Sequence, residues 1–150
     1  MLSNVQIQKK INALSNKLNL GNYQEVISEA SLLLKKNKHQ VFFNILCLAY
    51  QGIKEFGKSE AVMNEALKLN PNNPYFLNNM GTTQHKMGNF KAAEDYYLRG
   101  LKIVPNYINV LNNSTDLYTL SNNGWSRTQL QMLVLNASHS IAEICRLRPR

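Results

Sequence analysis

The feature that most constrains this chain is an internal repeat with a period of 34 residues. Residues 40–72 recur as residues 74–106, and equivalent residues such as Phe56 and Phe90 stay 34 positions apart. Each copy contains two apolar runs at helical spacing, separated by glycines and closed by a proline. A repeat of this length that contains two helices buries its apolar face by stacking on its neighbours. The sequence therefore predicts an all-α fold of antiparallel helix pairs.

Five places in each copy carry the same class of residue, and helix packing explains why. The eighth, twentieth and twenty-seventh places are small, the seventeenth is aromatic and the thirty-second is proline. The copy that starts at residue 74 fills these places with Gly81, Phe90, Ala93, Gly100 and Pro105. The copy that starts at residue 40 has Cys47, Phe56, Ser59, Ala66 and Pro71. Small side chains let two helices approach closely, and the aromatic side chain fills the space beside them.

This pattern resembles the tetratricopeptide repeat. The resemblance implies a right-handed helical solenoid whose first helices line a concave groove for extended peptides or partner helices. We expect one such domain over residues 1–150, with about eight helices. Its expected parts are a degenerate repeat at 6–39, repeats at 40–73 and 74–107, and a divergent repeat with a capping helix at 108–150.

The capping helix is predicted from the segment that follows Gly124. Ser126 and Gln129 have the spacing of a capping box, and apolar residues then recur at three- and four-residue intervals up to Cys145. A helix of this length would cover the apolar face of the last repeat, which would otherwise be exposed.

The chemistry-bearing residues do not form a catalytic pattern. The three histidines are scattered, the two cysteines are not paired in a metal-binding spacing, and no glycine-rich phosphate loop is present. We therefore expect no enzyme activity, no metal and no cofactor. No apolar run suits a signal peptide or a membrane span, so we expect a cytoplasmic chain with no membrane partner. We do not expect nucleic acid as a partner despite the net charge of +8, because no aromatic residues are interleaved with the basic ones.

Asparagines recur at one place in three successive first helices. Asn44, Asn78 and Asn112 occupy this column, and Asn79 and Asn113 lie beside two of them. Asparagine inside a helix lowers the stability of the helix by about 0.5 kcal/mol relative to better helix formers. The column therefore either serves a function or arose by chance. A carboxamide both donates and accepts hydrogen bonds, and it can therefore hold a peptide backbone. The flanking candidate binding residues are Tyr75, Thr82, His85, Lys86 and Asp116.

The sequence thus predicts a non-catalytic scaffold that binds a protein or peptide partner in the groove, and the net charge of +8 is compatible with an acidic partner. The alternative is that the chain is the N-terminal repeat arm of a larger bacterial enzyme, such as a glycosyltransferase or a sulfotransferase.

Overall fold

The computed structural model describes residues 3–104 and Asn113, and all regular secondary structure in this part is helical. Six helices follow one another as α1 (Asn4–Asn19), α2 (Tyr23–Lys36), α3 (Gln40–Gly52), α4 (Phe56–Leu69), α5 (Pro74–Lys86) and α6 (Phe90–Ile103). The expected further helices and the terminal cap lie outside the described residues. Within the described part, no helix is long and apolar enough to cross a membrane.

Side chains fix where several helices begin. The Ser3 hydroxyl accepts a hydrogen bond from the backbone N–H of Gln6, and the Gln6 side chain accepts one from the backbone N–H of Ser3. At α5, the Asn73 carboxamide oxygen accepts from the backbone N–H groups of Tyr75 and Phe76, and Pro74 occupies the first turn. These contacts satisfy N–H groups that have no partner within the helix.

Contacts divide the chain between Pro71 and Asn72 into two compact units. Helices α1 to α4 belong to the first unit, in which α1 contacts both α2 and α3, and α3 contacts α4. Helices α5 and α6 belong to the second unit and pack against each other.

The small residues of the repeat lie where paired helices meet. In the second unit, Gly81 and Ala93 are buried, and a Cβ atom added to Gly81 would lie 2.5 Å from the ring of Tyr97. In the first unit, the Cys47 Sγ atom lies 3.0 Å from the hydroxyl oxygen of Ser59, and both residues are fully buried. Close approach at these places is the packing that the repeat pattern predicted.

The first helix pair differs from the sequence interpretation in one detail. Its match to the repeat suggested a turn one residue shorter than in the other pairs, but residues 20–22, 53–55 and 87–89 form turns of equal length. The missing residue is instead in the link between α2 and α3, which spans 37–39, whereas residues 70–73 join α4 to α5. The repeat is therefore shortened between pairs and not within the pair.

The turns within the three helix pairs each contain a residue in the left-handed backbone conformation. In two turns this residue is glycine, and in the third it is a lysine. Gly21, Lys54 and Gly88 have φ angles of 78°, 61° and 80°, in the left-handed region. In the middle turn, the N–H of Glu55 donates to the Tyr50 carbonyl, which closes the helix end around Lys54. A side chain at positive φ is strained, so Lys54 carries a cost that Gly21 and Gly88 avoid.

We expect Lys54→Gly to raise the free energy of unfolding by about 0.5–1 kcal/mol, because it relieves this strain. Chemical unfolding of the purified chain measures the change. Lys54→Ala is the matched control, since it removes the same side-chain charge but keeps a Cβ atom at positive φ. Equal stabilities of the two variants would show that the turn is not strained.

Candidate functional site

A polar pocket lies against α5 in the second unit. It has a volume of about 270 Å³ and is lined by Thr82, His85, Lys86, Tyr97 and Asn113. Thr82, His85 and Lys86 fall on one face of α5 because they are three or four residues apart. Four of the five lining residues belong to the binding set that the sequence predicted, and Tyr97 of α6 is the addition.

A hydrogen-bond network holds the floor of this pocket. The Asn113 amide group donates to the Asn78 carboxamide oxygen at 3.0 Å and to the Thr82 hydroxyl oxygen at 3.2 Å. The Tyr97 hydroxyl donates to the same Thr82 oxygen at 3.3 Å. The Thr82 hydroxyl in turn donates to the Asn78 backbone carbonyl at 3.1 Å. Thr82 therefore uses its single donor and both of its lone pairs.

This network fixes the orientation of the Asn113 carboxamide. Both N–H groups of that amide are engaged by α5, so its oxygen is the atom left to accept a hydrogen bond. Reversing the amide would place its oxygen against the Asn78 oxygen, which is also an acceptor. Asn113 is thus preorganised to receive an N–H donor.

Lys86 supplies the positive charge of the pocket. It is exposed at the end of α5 and forms no ion pair within the described part of the chain. His85 lies one position before it, and its ring meets that of Phe90 at a centroid distance of 5.7 Å. A hydrogen-bond acceptor at Asn113 and a cation at Lys86 can together serve a ligand that has both an N–H group and an oxygen acceptor. A peptide group has both.

The other predicted residues fall into different surroundings. Tyr75 is 55% exposed on the first turn of α5, whereas Asn78 is only 7% exposed and bonds to Asn113. Asn79 is half-buried, and its side-chain oxygen is 3.5 Å from the Asn78 amide nitrogen. Asn44 is half-buried on α3 in the first unit. Asn112 and Asp116 lie outside the described residues.

Tyr97 is the functional candidate that the sequence did not identify. Tyr97 is only 1% exposed, and its ring belongs to the core of the second unit. The sequence carried no signal for its hydroxyl, because a phenylalanine would fit the same apolar pattern. Within residues 3–104 and Asn113, no group of three His, Cys, Asp or Glu side chains could hold a metal ion.

Comparison with protein families agrees with the repeat architecture. One model of the tetratricopeptide repeat matches residues 39–73, and another matches residues 74–107. No curated protein matches the chain significantly. The matched segments contain the helix pairs α3–α4 and α5–α6, and repeats of this kind generally mediate protein–protein interaction. The chain therefore contains two tetratricopeptide repeats, at residues 39–73 and 74–107.

Proposed function

We propose that the chain is a non-catalytic interaction module that binds an extended peptide or a partner helix along α5. The observation that carries this proposal is the pocket in which Asn113 presents an acceptor oxygen and Lys86 a cation. A peptide backbone needs an acceptor for its N–H group and a donor for its carbonyl group. The pocket offers both without a requirement for a particular side chain, so we expect broad sequence tolerance.

From the buried position of Asn78 we infer different roles for the asparagines. Asn78 orients Asn113 by accepting its amide hydrogen, so it supports the ligand-facing group without needing to touch the ligand. Asn113 would contact the peptide directly, and Tyr75, at 55% exposure, would cover the next segment of it. Lys86 would favour a carboxylate near the bound segment and so account for a preference for acidic partners.

The test is to select binders from a random peptide library with the parent chain and to measure their affinity for variants. Asn113→Ala removes the acceptor, and Lys86→Gln removes the charge. Each lost hydrogen bond is worth about 0.5–1.5 kcal/mol, so we expect the dissociation constant to rise about threefold to tenfold per substitution. Asn64→Ala on the exposed side of α4 is the control and should bind as the parent does.

Salt separates this mode of binding from a nonspecific attraction to the basic chain. Neutral hydrogen bonds depend little on ionic strength, so Asn113→Ala should weaken binding equally at low and high salt. If Asn113→Ala and Lys86→Gln both bind the selected peptides like the parent, the proposal is wrong.

The second function, an arm that presents substrate to a larger bacterial glycosyltransferase or sulfotransferase, rests on family analogy alone. The two functions predict different lengths for the natural reading frame. A reading frame that continues into a catalytic domain would favour the arm.

A further inference from the structure

The start of α1 and the end of α2 carry four exposed lysines. Lys9 and Lys10 are exposed on α1, and Lys35 and Lys36 are exposed on α2. We call these four residues the lysine end. None of them forms an ion pair within the described part of the chain. Lys38, which follows them, differs because it is paired with Glu65 of α4.

The register of α1 and α2 places these lysines at one end of the pair. A turn at residues 20–22 joins the two helices, and Lys17 near the end of α1 contacts Glu25 and Glu29 near the start of α2. The start of α1 therefore lies beside the end of α2. Lys10 is two helical turns from Lys17, and Lys36 is two turns from Glu29, so they continue the same facing surfaces.

The acidic residues of α1 and α2 form ion pairs with a lysine outside the lysine end. Glu25 and Glu29 are the only carboxylates between residues 3 and 54. They lie 2.9 and 2.5 Å from the Lys17 ammonium, and hydrogen bonds to Glu29 and Glu25 raise the pKa of Lys17. Among residues 3–104 and Asn113, the charge of α1 and α2 is thus balanced near the turn, and the lysine end has no ion pair.

Two exposed aliphatic side chains accompany the lysines. Val5 is 66% exposed one turn before Lys9, and Leu32 is 57% exposed one turn before Lys36. Residues four apart share a helix face, so each aliphatic group lies beside a cation. No aromatic side chain occurs in residues 4–10 or 32–38. Aromatic stacking on nucleic-acid bases is therefore not available, whereas lysines beside aliphatic groups suit the surface of an anionic bilayer.

We propose that the lysine end, with Val5 and Leu32, is a peripheral docking surface for membranes that carry acidic lipids. The ammonium groups would contact the headgroup phosphates, and the two aliphatic side chains would enter the interface. The prediction of no membrane partner rested on the lack of an apolar run that suits a membrane span or a signal peptide. A peripheral surface becomes visible only when the register of the two helices is known.

The test measures binding of the full chain to phosphatidylcholine vesicles with and without phosphatidylglycerol. A lysine near an anionic surface contributes about fivefold in affinity, so neutralising all four with Lys→Gln changes should weaken binding to the mixed vesicles by roughly a few hundredfold. The charge-matched control neutralises Lys54, Lys58, Lys91 and Lys102, which lie outside the lysine end. It should retain most of the binding. Circular dichroism checks that both variants keep the parent's helix content.

Val5→Ser with Leu32→Ser distinguishes a bilayer from other polyanions. This variant should lose affinity for the mixed vesicles and bind a DNA duplex or polyglutamate as the parent does, because only the bilayer offers an apolar layer. The proposal is overturned if the parent binds neutral and acidic vesicles equally, or if the two quadruple variants bind alike. Tighter binding to DNA or polyglutamate than to acidic vesicles would also overturn it.

Discussion

Gly81→Leu should lower the free energy of unfolding by about 2–3 kcal/mol, because the helices of the second unit meet at this residue. An added Cβ atom would lie 2.5 and 2.6 Å from two ring atoms of Tyr97. The ring is 1% exposed and its hydroxyl bonds to Thr82, so it cannot swing aside without breaking the floor of the pocket. Leucine therefore forces α5 and α6 apart. Ala93→Leu and Gly100→Leu should act in the same direction, since both residues are buried.

Gly57→Leu is the matched control for this prediction. Gly57 is exposed in the first turn of α4, and a Cβ atom there would meet no other heavy atom within 4 Å. Leucine also favours a helix over glycine, so this variant should be as stable as the parent or slightly more stable. Urea unfolding followed by circular dichroism measures both variants. Equal stability of Gly81→Leu and the parent would show that the eighth place is not a close helix contact.

Leu14→Ala should destabilise the first unit by about 2–5 kcal/mol, even though it moves the repeat closer to the family pattern. Leu14 occupies the place taken by Cys47 and Gly81 in the later repeats. It is fully buried, as is Val26 on α2, so both residues belong to the core of the first unit. Removing the leucine would leave a cavity that the surrounding helices cannot close completely.

Leu20→Ala makes the same chemical change on the surface. Leu20 is 76% exposed, so the free energy of unfolding should change by no more than about 0.5 kcal/mol. Thermal and chemical unfolding compare the two variants. A Leu14→Ala chain that is more stable than the parent would mean that the first helix pair packs like the later repeats, with small residues preferred.

The helix pairs were predictable from the sequence because small and apolar residues recur with the repeat period. Such residues mark the places in each pair that are buried. Gly81 and Ala93 could be placed at a helix contact for this reason. The conformation of the turns was harder to predict from the sequence. Gly52 and Gly57 marked the middle turn, yet both lie in helices, and Lys54 takes the left-handed conformation between them.

The sequence indicated which residue types would lie at the candidate site, but it did not indicate the hydrogen bonds between their side chains. The column of asparagines pointed to α5, and Thr82, His85 and Lys86 do line one pocket with Asn113. The sequence did not specify which carboxamide lines the pocket, because Asn78 and Asn79 differ by only one position on the helix. The bond from Asn113 to Asn78 joins residues 35 apart and depends on side-chain rotamers that no sequence pattern specifies.

The location of a bound peptide tests the proposed function most directly. A peptide selected by the parent is titrated into the ¹⁵N-labelled chain, and amide chemical shifts are followed by NMR. We expect the largest shifts at Thr82, His85 and Lys86 and at the side-chain amide of Asn113, with the same pattern at low and high salt. Shifts confined to the exposed surfaces of α2 and α4, with the α5 signals unchanged, would contradict a binding site along α5.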